Sequence, residues 1–294
     1  MNLTCHSEYL PLHSVLIRPL LEAFRDQATI ASQWERLNYL SEPGLEAAIE
    51  QYTKFESTLG AGAREVYRMP RRDGLTLDAL YCRDASIATD FGMILCRMGK
   101  EARREEPASH RQVFDAMGIP ILGSIEAPGT LEGGDVAWLD TQTLAVGHSY
   151  RTNASGIEQL KALLEPKGIE VIVADLPHFR GPSDVFHLMS ILSPVDSDLA
   201  VVYSPLTPIS FRNSLLDRGY GLVEVPEVEF DTLGSNVLAT GPRQCILAKG
   251  NPQTEAALRK AGCRVTTYEG SEISLKGGGG PTCLTRPYQR RLQG

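Results

Sequence analysis

The chain has 294 residues, 42% of them hydrophobic, with 29 lysines and arginines against 36 acidic residues and a formal net charge of −7. That is enough apolar material for a sizeable core in one large domain or two small ones. No basic surplus is available to neutralise phosphates, which argues against nucleic acid as the main partner, while a locally acidic pocket would favour a cationic substrate. No apolar run approaches the length of a membrane span. The start, Met1-Asn-Leu-Thr-Cys-His-Ser-Glu-Tyr9, has neither the basic n-region nor the apolar h-region of a signal peptide. The six cysteines, at 5, 82, 96, 245, 263 and 283, include no Cys-x-x-Cys pair. A reducing, cytoplasmic setting with free thiols fits best, with every cysteine but Cys283 assigned to core packing.

In chain order, the pattern predicts five units, each of short strands, a helix and a returning strand. The first has a strand at Ser14–Arg18, a helix near 45–59 and a return at Glu65–Arg68. The second has strands at Ala79–Cys82 and Gly92–Cys96, a helix over about 101–117 and a return at Ile119–Leu122. In the third, strands at Asp135–Leu139 and Thr143–Val146 precede a helix at 153–165. Asn153 is its candidate N-cap, Gly168 follows its end, and Glu170–Ala174 returns. The fourth has strands at His187–Leu192 and Leu199–Tyr203, a helix near 208–217 and a return at Gly221–Val225. The fifth has Asn236–Ala239 and Gln244–Ala248, a helix over about 252–261 and a return at Arg264–Tyr268. Such units can bury their apolar faces by closing into a ring. A doubly wound open sheet is the competing arrangement. No low-complexity linker divides the chain, so residues 1–294 read as a single domain.

The stretch Lys276-Gly-Gly-Gly-Gly-Pro-Thr-Cys283 near the C-terminus carries the strongest chemical signal. Glycines without a Cβ let a backbone come close to a ligand. Cys283 stands at the mouth of that loop, where a thiol can be presented to a substrate; a flexible tail with an incidental cysteine is the bland alternative. In Glu132-Gly-Gly-Asp135 two carboxylates flank a glycine turn, either facing a cleft or forming an inert acidic turn. Asp78 and Asp84 are six apart, so on an unbroken strand they would share a face. The alternative for Asp84 is a surface pair with Arg83. His187 begins an apolar segment and reads either as functional or as a satisfied core histidine. His6, His13 and His110 lie in peripheral or charged segments, and His148 and His178 lie in loops. A metal site would want clustered ligands, and these candidates are dispersed along the chain. A cysteine, a histidine and several carboxylates approached by glycines make a thiol-nucleophile site that could hold a cation.

These motifs resemble those of the guanidine-modifying superfamily, which holds arginine deiminases, amidinotransferases and dimethylarginine dimethylaminohydrolases. The resemblance covers roughly residues 10–288. Glu126-Ala-Pro-Gly-Thr-Leu-Glu132-Gly-Gly-Asp135, with Gly147-His-Ser-Tyr-Arg151-Thr-Asn-Ala-Ser-Gly156, is similar to bacterial dimethylarginine hydrolases, and Gly277 to Cys283 resembles the superfamily's nucleophile loop. The resemblance implies a five-bladed α/β propeller of ββαβ repeats with the site on its axis. It implies Cys283 as nucleophile, His187 as general acid and base, and Glu132 and Asp84 as grips on the guanidinium. Asp78 is implied near the substrate α-amino group, and Arg103 and Arg151 on its α-carboxylate. Two departures bear on substrate. Met189 stands where deiminases and amidinotransferases carry the aspartate of His-x-Asp, which favours a methylated guanidine. Arg83 stands where some bacterial dimethylarginine hydrolases have glutamate, and Arg-Asp there is commoner among deiminases. The expected activity is cysteine-dependent hydrolysis of N-methylated arginine or arginine through a thiouronium adduct, with no metal or organic cofactor. Arginine deiminase, dihydrolase, amidinotransferase and a silent guanidinium-binding protein are the alternatives. The expected partner is a small guanidino substrate, without nucleic acid or membrane; a homo-oligomer is left open.

Overall fold

A computed structural model describes residues 3–292. It contains five small sheets, and four of them repeat one plan: an antiparallel hairpin, then a helix, then a strand parallel to the hairpin's second member. The hairpin pairs are Ser86–Thr89 with Gly92–Leu95, Val136–Trp138 with Thr143–His148, Leu192–Asp196 with Leu199–Val202, and Leu238–Gly241 with Gln244–Ala248. Parallel partners follow at Ile121–Ser124, Glu170–Asp175, Gly221–Glu224 and Arg264–Tyr268.

The remaining sheet joins the two ends of the chain. Arg286–Arg291 runs antiparallel to Leu12–Ile17, Glu65–Arg68 pairs parallel on the far side, and Leu3–Thr4 adds a short edge. Strands of successive sheets meet: 286–291 with 86–89, 136–138 with 192–196, 192–196 with 238–241, and 238–241 with 12–17. The Trp138 indole N–H donates to the Ala88 carbonyl at 3.1 Å and bridges the second and third sheets. The molecule is a five-bladed α/β propeller, and the doubly wound alternative is excluded.

The crossover helices follow the predicted periodicity. Leu45–Gly62 buries Ala48, Tyr52, Phe55 and Leu59, one stripe spaced three to four residues apart, against a cluster that includes Val15 and Ile17. Complete burial of a residue such as Phe55 contributes about 1.5–3 kcal/mol relative to exposure. Asn153 caps Ala154–Leu164 by accepting the Gly156 amide at 2.9 Å. The same oxygen accepts the Thr130 amide at 3.0 Å, so this cap also fixes the loop leading to Glu132. No helix among the described residues is long and apolar enough to cross a membrane.

Several expectations are corrected. Ala79–Cys82 is not a strand: Leu77–Leu80 and Cys82–Ala85 are 3₁₀ turns, and the strand begins at Ser86. His187–Leu192 likewise opens with a 3₁₀ turn at Leu188–Ser190, and the strand starts at Leu192. In both places a run of buried residues carries no period that separates strand from turn. Asp78 and Asp84 therefore do not share a strand face. The short helices Leu20–Ala23 and Gln27–Gln33 and the strand Arg286–Arg291 had no counterpart in the sequence reading. Residues 1–2 and 293–294 of the domain read as 1–294 lie outside the described residues.

Candidate active site

The glycine run is a close approach between backbone and side chains. A Cβ on Gly277 would fall 2.0 Å from the Tyr81 hydroxyl, one on Gly279 would fall 2.3 Å from the Tyr81 ring, and one on Gly280 would fall 2.3 Å from Asn236 Oδ1. Tyr81 itself is anchored by donating to the Ile273 carbonyl at 3.1 Å. Asn236 Oδ1 accepts the Thr282 amide at 3.0 Å and the Thr282 hydroxyl at 2.9 Å, while Asn236 Nδ2 reaches toward Cys283 Sγ at 3.5 Å. The Cys283 carbonyl accepts the Arg83 amide at 3.2 Å, which ties the nucleophile loop to the turn carrying Asp84. Burial, then the charge of Asp84, pushes the Cys283 thiol up to about 11.

Glu132-Gly-Gly-Asp135 brings the second half of the site together. A Cβ on Gly134 would lie 2.5 Å from His187 Nδ1 and 2.6 Å from Asp84 Oδ1, so only glycine lets these side chains close over the turn. His187 Nε2 is 2.8 Å from Glu132 Oε2. The other Glu132 oxygen accepts the Lys100 amide at 3.0 Å and lies 3.6 Å from Arg151 Nη1. Asp135 does not face the pocket. It accepts the Leu188 amide at 3.0 Å and the Ser149 hydroxyl at 2.6 Å, and so holds the backbone beside His187.

Burial disfavours the charged form of His187, but Asp135, Asp84 and Glu132 outweigh it and raise the imidazole to about 9. Burial likewise works against ionised Glu132. The His187 hydrogen bond and charge, then Arg151 and Arg103, overcome it and hold the carboxyl well below its usual range. At neutral pH the resting site therefore holds an ionised Glu132, a protonated His187 and a neutral Cys283 thiol.

One pocket is lined by Asp78, Asp84, Arg103, Arg151, His187 and Cys283, with Met189, Asn236 and Lys100 among the further wall residues. Glu132 stands behind His187. Polar atoms of Asp84, Glu132 and His187 lie within 4.8 Å of one another, so folding gathers what looks dispersed along the chain. Asp84 Oδ2 is 2.5 Å from Arg103 Nη1, and Asp84 Oδ1 has no protein hydrogen-bond partner. Asp78 pairs with Lys100 Nζ at 2.7 Å.

Arg103 departs from expectation. Besides Asp84, it donates to Glu106 through Nε and Nη2 at 2.8 and 2.7 Å, and to the Tyr81 carbonyl at 2.8 Å. With its donors so committed it positions Asp84, and direct binding of a substrate carboxylate by Arg103 is revised accordingly. Arg151 keeps a place on the pocket wall. Arg83 is not a surface partner of Asp84: it is fully buried, turns away from the pocket and donates to Glu8 Oε1 at 2.7 Å. His6, His13 and His110 are all buried, contrary to the peripheral reading; His6 stacks on Trp138 with ring centroids 3.9 Å apart.

Tyr81, Lys100, Glu106 and Asn236 were missed by the sequence reading. Asn236, a polar residue at the start of an apolar segment, offered the one local signal. Also missed was the pocket mouth, where Arg180 grips both oxygens of Asp231 at 2.8 Å and Phe179 meets Phe230 at 5.7 Å between centroids.

A family model described as arginine deiminase matches residues 77–208. The chain is 30% identical over 238 residues to a dimethylarginine dimethylaminohydrolase of Streptomyces coelicolor, covering 81% of this chain and 84% of the relative. The chain belongs to the guanidine-modifying superfamily. Two solved structures share the superfamily's fold with it. The dimethylarginine dimethylaminohydrolase of Pseudomonas aeruginosa complexed with citrulline has a TM-score of 0.76 at 22% identity, covering 94% of this chain and 98% of that one. The N-terminal domain of a cyanobacterial arginine dihydrolase bound to product has a TM-score of 0.81 at 19% identity, covering 95% and 98%.

The Glu132–His187 pair sets a pH signature for this superfamily member. His187 is raised from 6.5 to about 9, so its contribution to stability is fully present below pH 6.5 and is lost as the pH climbs through 9. Glu132 is depressed from 4.5, so its contribution is present above that value and is lost in acid. The melting temperature should fall between pH 6.5 and 9, and Glu132→Gln should flatten that fall. Thermal scans of both proteins across this range check it; identical slopes would show that the pair is not coupled.

Proposed function

We propose that this chain hydrolyses a guanidino substrate through a covalent adduct on Cys283, with N-methylated arginine preferred over arginine. The observation that carries the reading is the meeting of Cys283, protonated His187 and the unpartnered Asp84 oxygen at one pocket. A guanidinium is a delocalised cation and a poor electrophile. Asp84 and Glu132 supply the negative charge to hold it, and fixing it against a thiol replaces a bimolecular encounter with a positioned one. The substrate's positive charge lowers the thiol pKa, so the thiol gives its proton to solvent and the nucleophile forms when the substrate is present, with His187 keeping its own proton.

The Cys283 thiolate attacks the central guanidinium carbon and forms the C–S bond. His187 gives its proton to the departing nitrogen, the C–N bond breaks, and an amine or ammonia leaves. The neutral imidazole then takes a proton from water, whose oxygen attacks the thiouronium carbon. Collapse breaks the C–S bond and releases the ureido product. Glu132 keeps His187 oriented and charged for the first half, and Arg103 keeps Asp84 in place. Arg151 and the Asp78–Lys100 pair remain for the amino-acid end of the substrate. We take residues 1–294 as one catalytic unit, because neighbouring blades contact one another and the pocket draws on residues from Leu37 to Cys283. All six cysteines are free, which suits work in a reducing, cytoplasmic compartment.

The methylated preference rests on Met189, a buried pocket residue where a carboxylate would otherwise stand. A thioether packs against alkyl groups and asks for no N–H donor. Arg83, the feature favouring deiminases, is engaged with Glu8 away from the pocket and does not bear on the substrate.

Cys283→Ser should lower kcat by at least on the order of 10³-fold with the fold intact, because an alcohol is a far weaker nucleophile. Intact-mass spectrometry during turnover should show an adduct on the wild type alone; near-normal turnover by the serine variant would remove Cys283 from the role.

Met189→Asp should shift kcat/KM from asymmetric dimethylarginine toward arginine by on the order of 10–10²-fold, since a new carboxylate wants N–H donors that a dimethylated nitrogen lacks. Parallel assays of ureido product from both substrates read this out. A wild type that prefers arginine would make the protein a deiminase or dihydrolase.

A further inference from the structure

Outside the pocket, one residue before Asp84, three guanidiniums gather around the N-terminal segment. Arg83 reaches Glu8 Oε1 at 2.7 Å. Arg290 donates through Nη1 to the Leu10 carbonyl at 2.5 Å and to the Ala239 carbonyl at 2.9 Å. Arg286 stands on the same innermost strand as Arg290. Arg83, Arg286 and Arg290 are 0%, 5% and 1% exposed, so all three are buried.

Their charge is not cancelled by the protein. Glu8 is the carboxylate that acts on both Arg286 and Arg290. Among the described residues, the one ion pair that any of the three guanidiniums makes is that of Arg83 with Glu8, and Asp84 pairs instead with Arg103. The thiols of Cys82 and Cys96 near Arg286 are neutral, since burial pushes both far up, Cys82 to about 12. Three guanidiniums thus face one carboxylate. Among the described residues, Nε and Nη1 of Arg83, Nε of Arg286, and Nε and Nη2 of Arg290 have no protein acceptor.

A buried charge without a counter-charge is one of the costliest arrangements a fold can hold, and hydrogen bonds to neutral groups do not remove it. We propose that this cluster binds a small monovalent inorganic anion of chloride's size. Guanidinium N–H groups suit such an ion, and the near-complete burial of all three side chains restricts the site to a small one. The site lies directly behind the catalytic turn. The Arg83 amide donates to the Cys283 carbonyl, and a Cβ on Gly133 would fall 2.4 Å from the Arg83 carbonyl. An anion holding the Arg83 side chain would steady the peptide that carries Asp84 and the loop that carries Cys283.

The test uses the full chain and needs no substrate. Crystals grown in sodium bromide should show an anomalous peak bounded by Arg83, Arg286 and Arg290. In solution, replacing gluconate by chloride or bromide at constant ionic strength should raise the melting temperature saturably by about 2–5 °C, as a ligand specific to the folded state does. Arg290→Gln keeps an amide donor for the two carbonyls, removes one positive charge and should lose most of that shift. Three results would overturn the proposal: no anomalous signal at the cluster, a wild-type melting temperature indifferent to halide, or a full halide shift in Arg290→Gln. The bromide crystal keeps the test decisive if the variant does not fold.

Discussion

The buried hydrogen bond between Glu132 and His187, 2.8 Å long, is the constraint on which the site is built. Taking an imidazolium and a carboxylate out of water costs several kcal/mol per ion after relaxation, in order-of-magnitude terms, and their mutual attraction offsets this only when the remaining polar atoms are also satisfied. At Glu132 the surrounding residues meet that condition. The Lys100 amide and Arg151 take up the second Glu132 oxygen, while Asp135 and Asp84 add their fields to His187. Gly134 leaves the space, and Asp135 fixes the chain at Leu188. The second, third and fourth blades are thereby joined at one point.

The chemistry follows from the imbalance this arrangement leaves. Asp84 is clamped by Arg103, which is itself clamped by Glu106, yet one Asp84 oxygen stays unpaired at the pocket. Glu106 is raised to about 7 by burial, with Arg103 opposing it, which marks how little solvent reaches this wall. The pocket offers negative charge, a proton donor and a neutral thiol. A cation completes it electrostatically and, by its own charge, converts the thiol into a nucleophile. A neutral ligand of the same shape would leave that thiol protonated.

Much of the fold was legible in the sequence because the crossover helices and returning strands carry strong local signals. The stripe Ala48, Tyr52, Phe55, Leu59 has helical spacing, and Asn153 caps as its residue type suggests. The turns at Leu77–Ala85 and Leu188–Ser190 were read as strands because all but one of their residues are buried, so no alternation marks them. The closing strand Arg286–Arg291 was invisible for the opposite reason: its inward positions include Arg286 and Arg290, which read as surface. Cys283 and Glu132 stand out in the sequence through glycine-flanked motifs, and Asp84 and His187 through their charged or apolar neighbours; the pocket wall holds Cys283, His187 and Asp84 together. The commitments of Arg103 to Asp84 and Glu106, and of Asp78 to Lys100, were not, because they depend on contacts between segments that only the folded ring brings together. The glycine run was correctly singled out, but its cause lies in Tyr81 and Asn236, far away in the chain.

The account's central claim is that the nucleophile rests as a neutral thiol and is activated by the cation it attacks. The most direct measurement is the pH dependence of Cys283 alkylation by iodoacetamide, followed by mass spectrometry of the peptide carrying that residue. In the free protein the rate should rise with an inflection near pH 11, where burial and Asp84 place the thiol. A guanidinium ligand that leaves the sulfur accessible should move the inflection down. An inflection at or below neutral pH in the free protein would mean a thiolate formed without substrate, and would contradict the account.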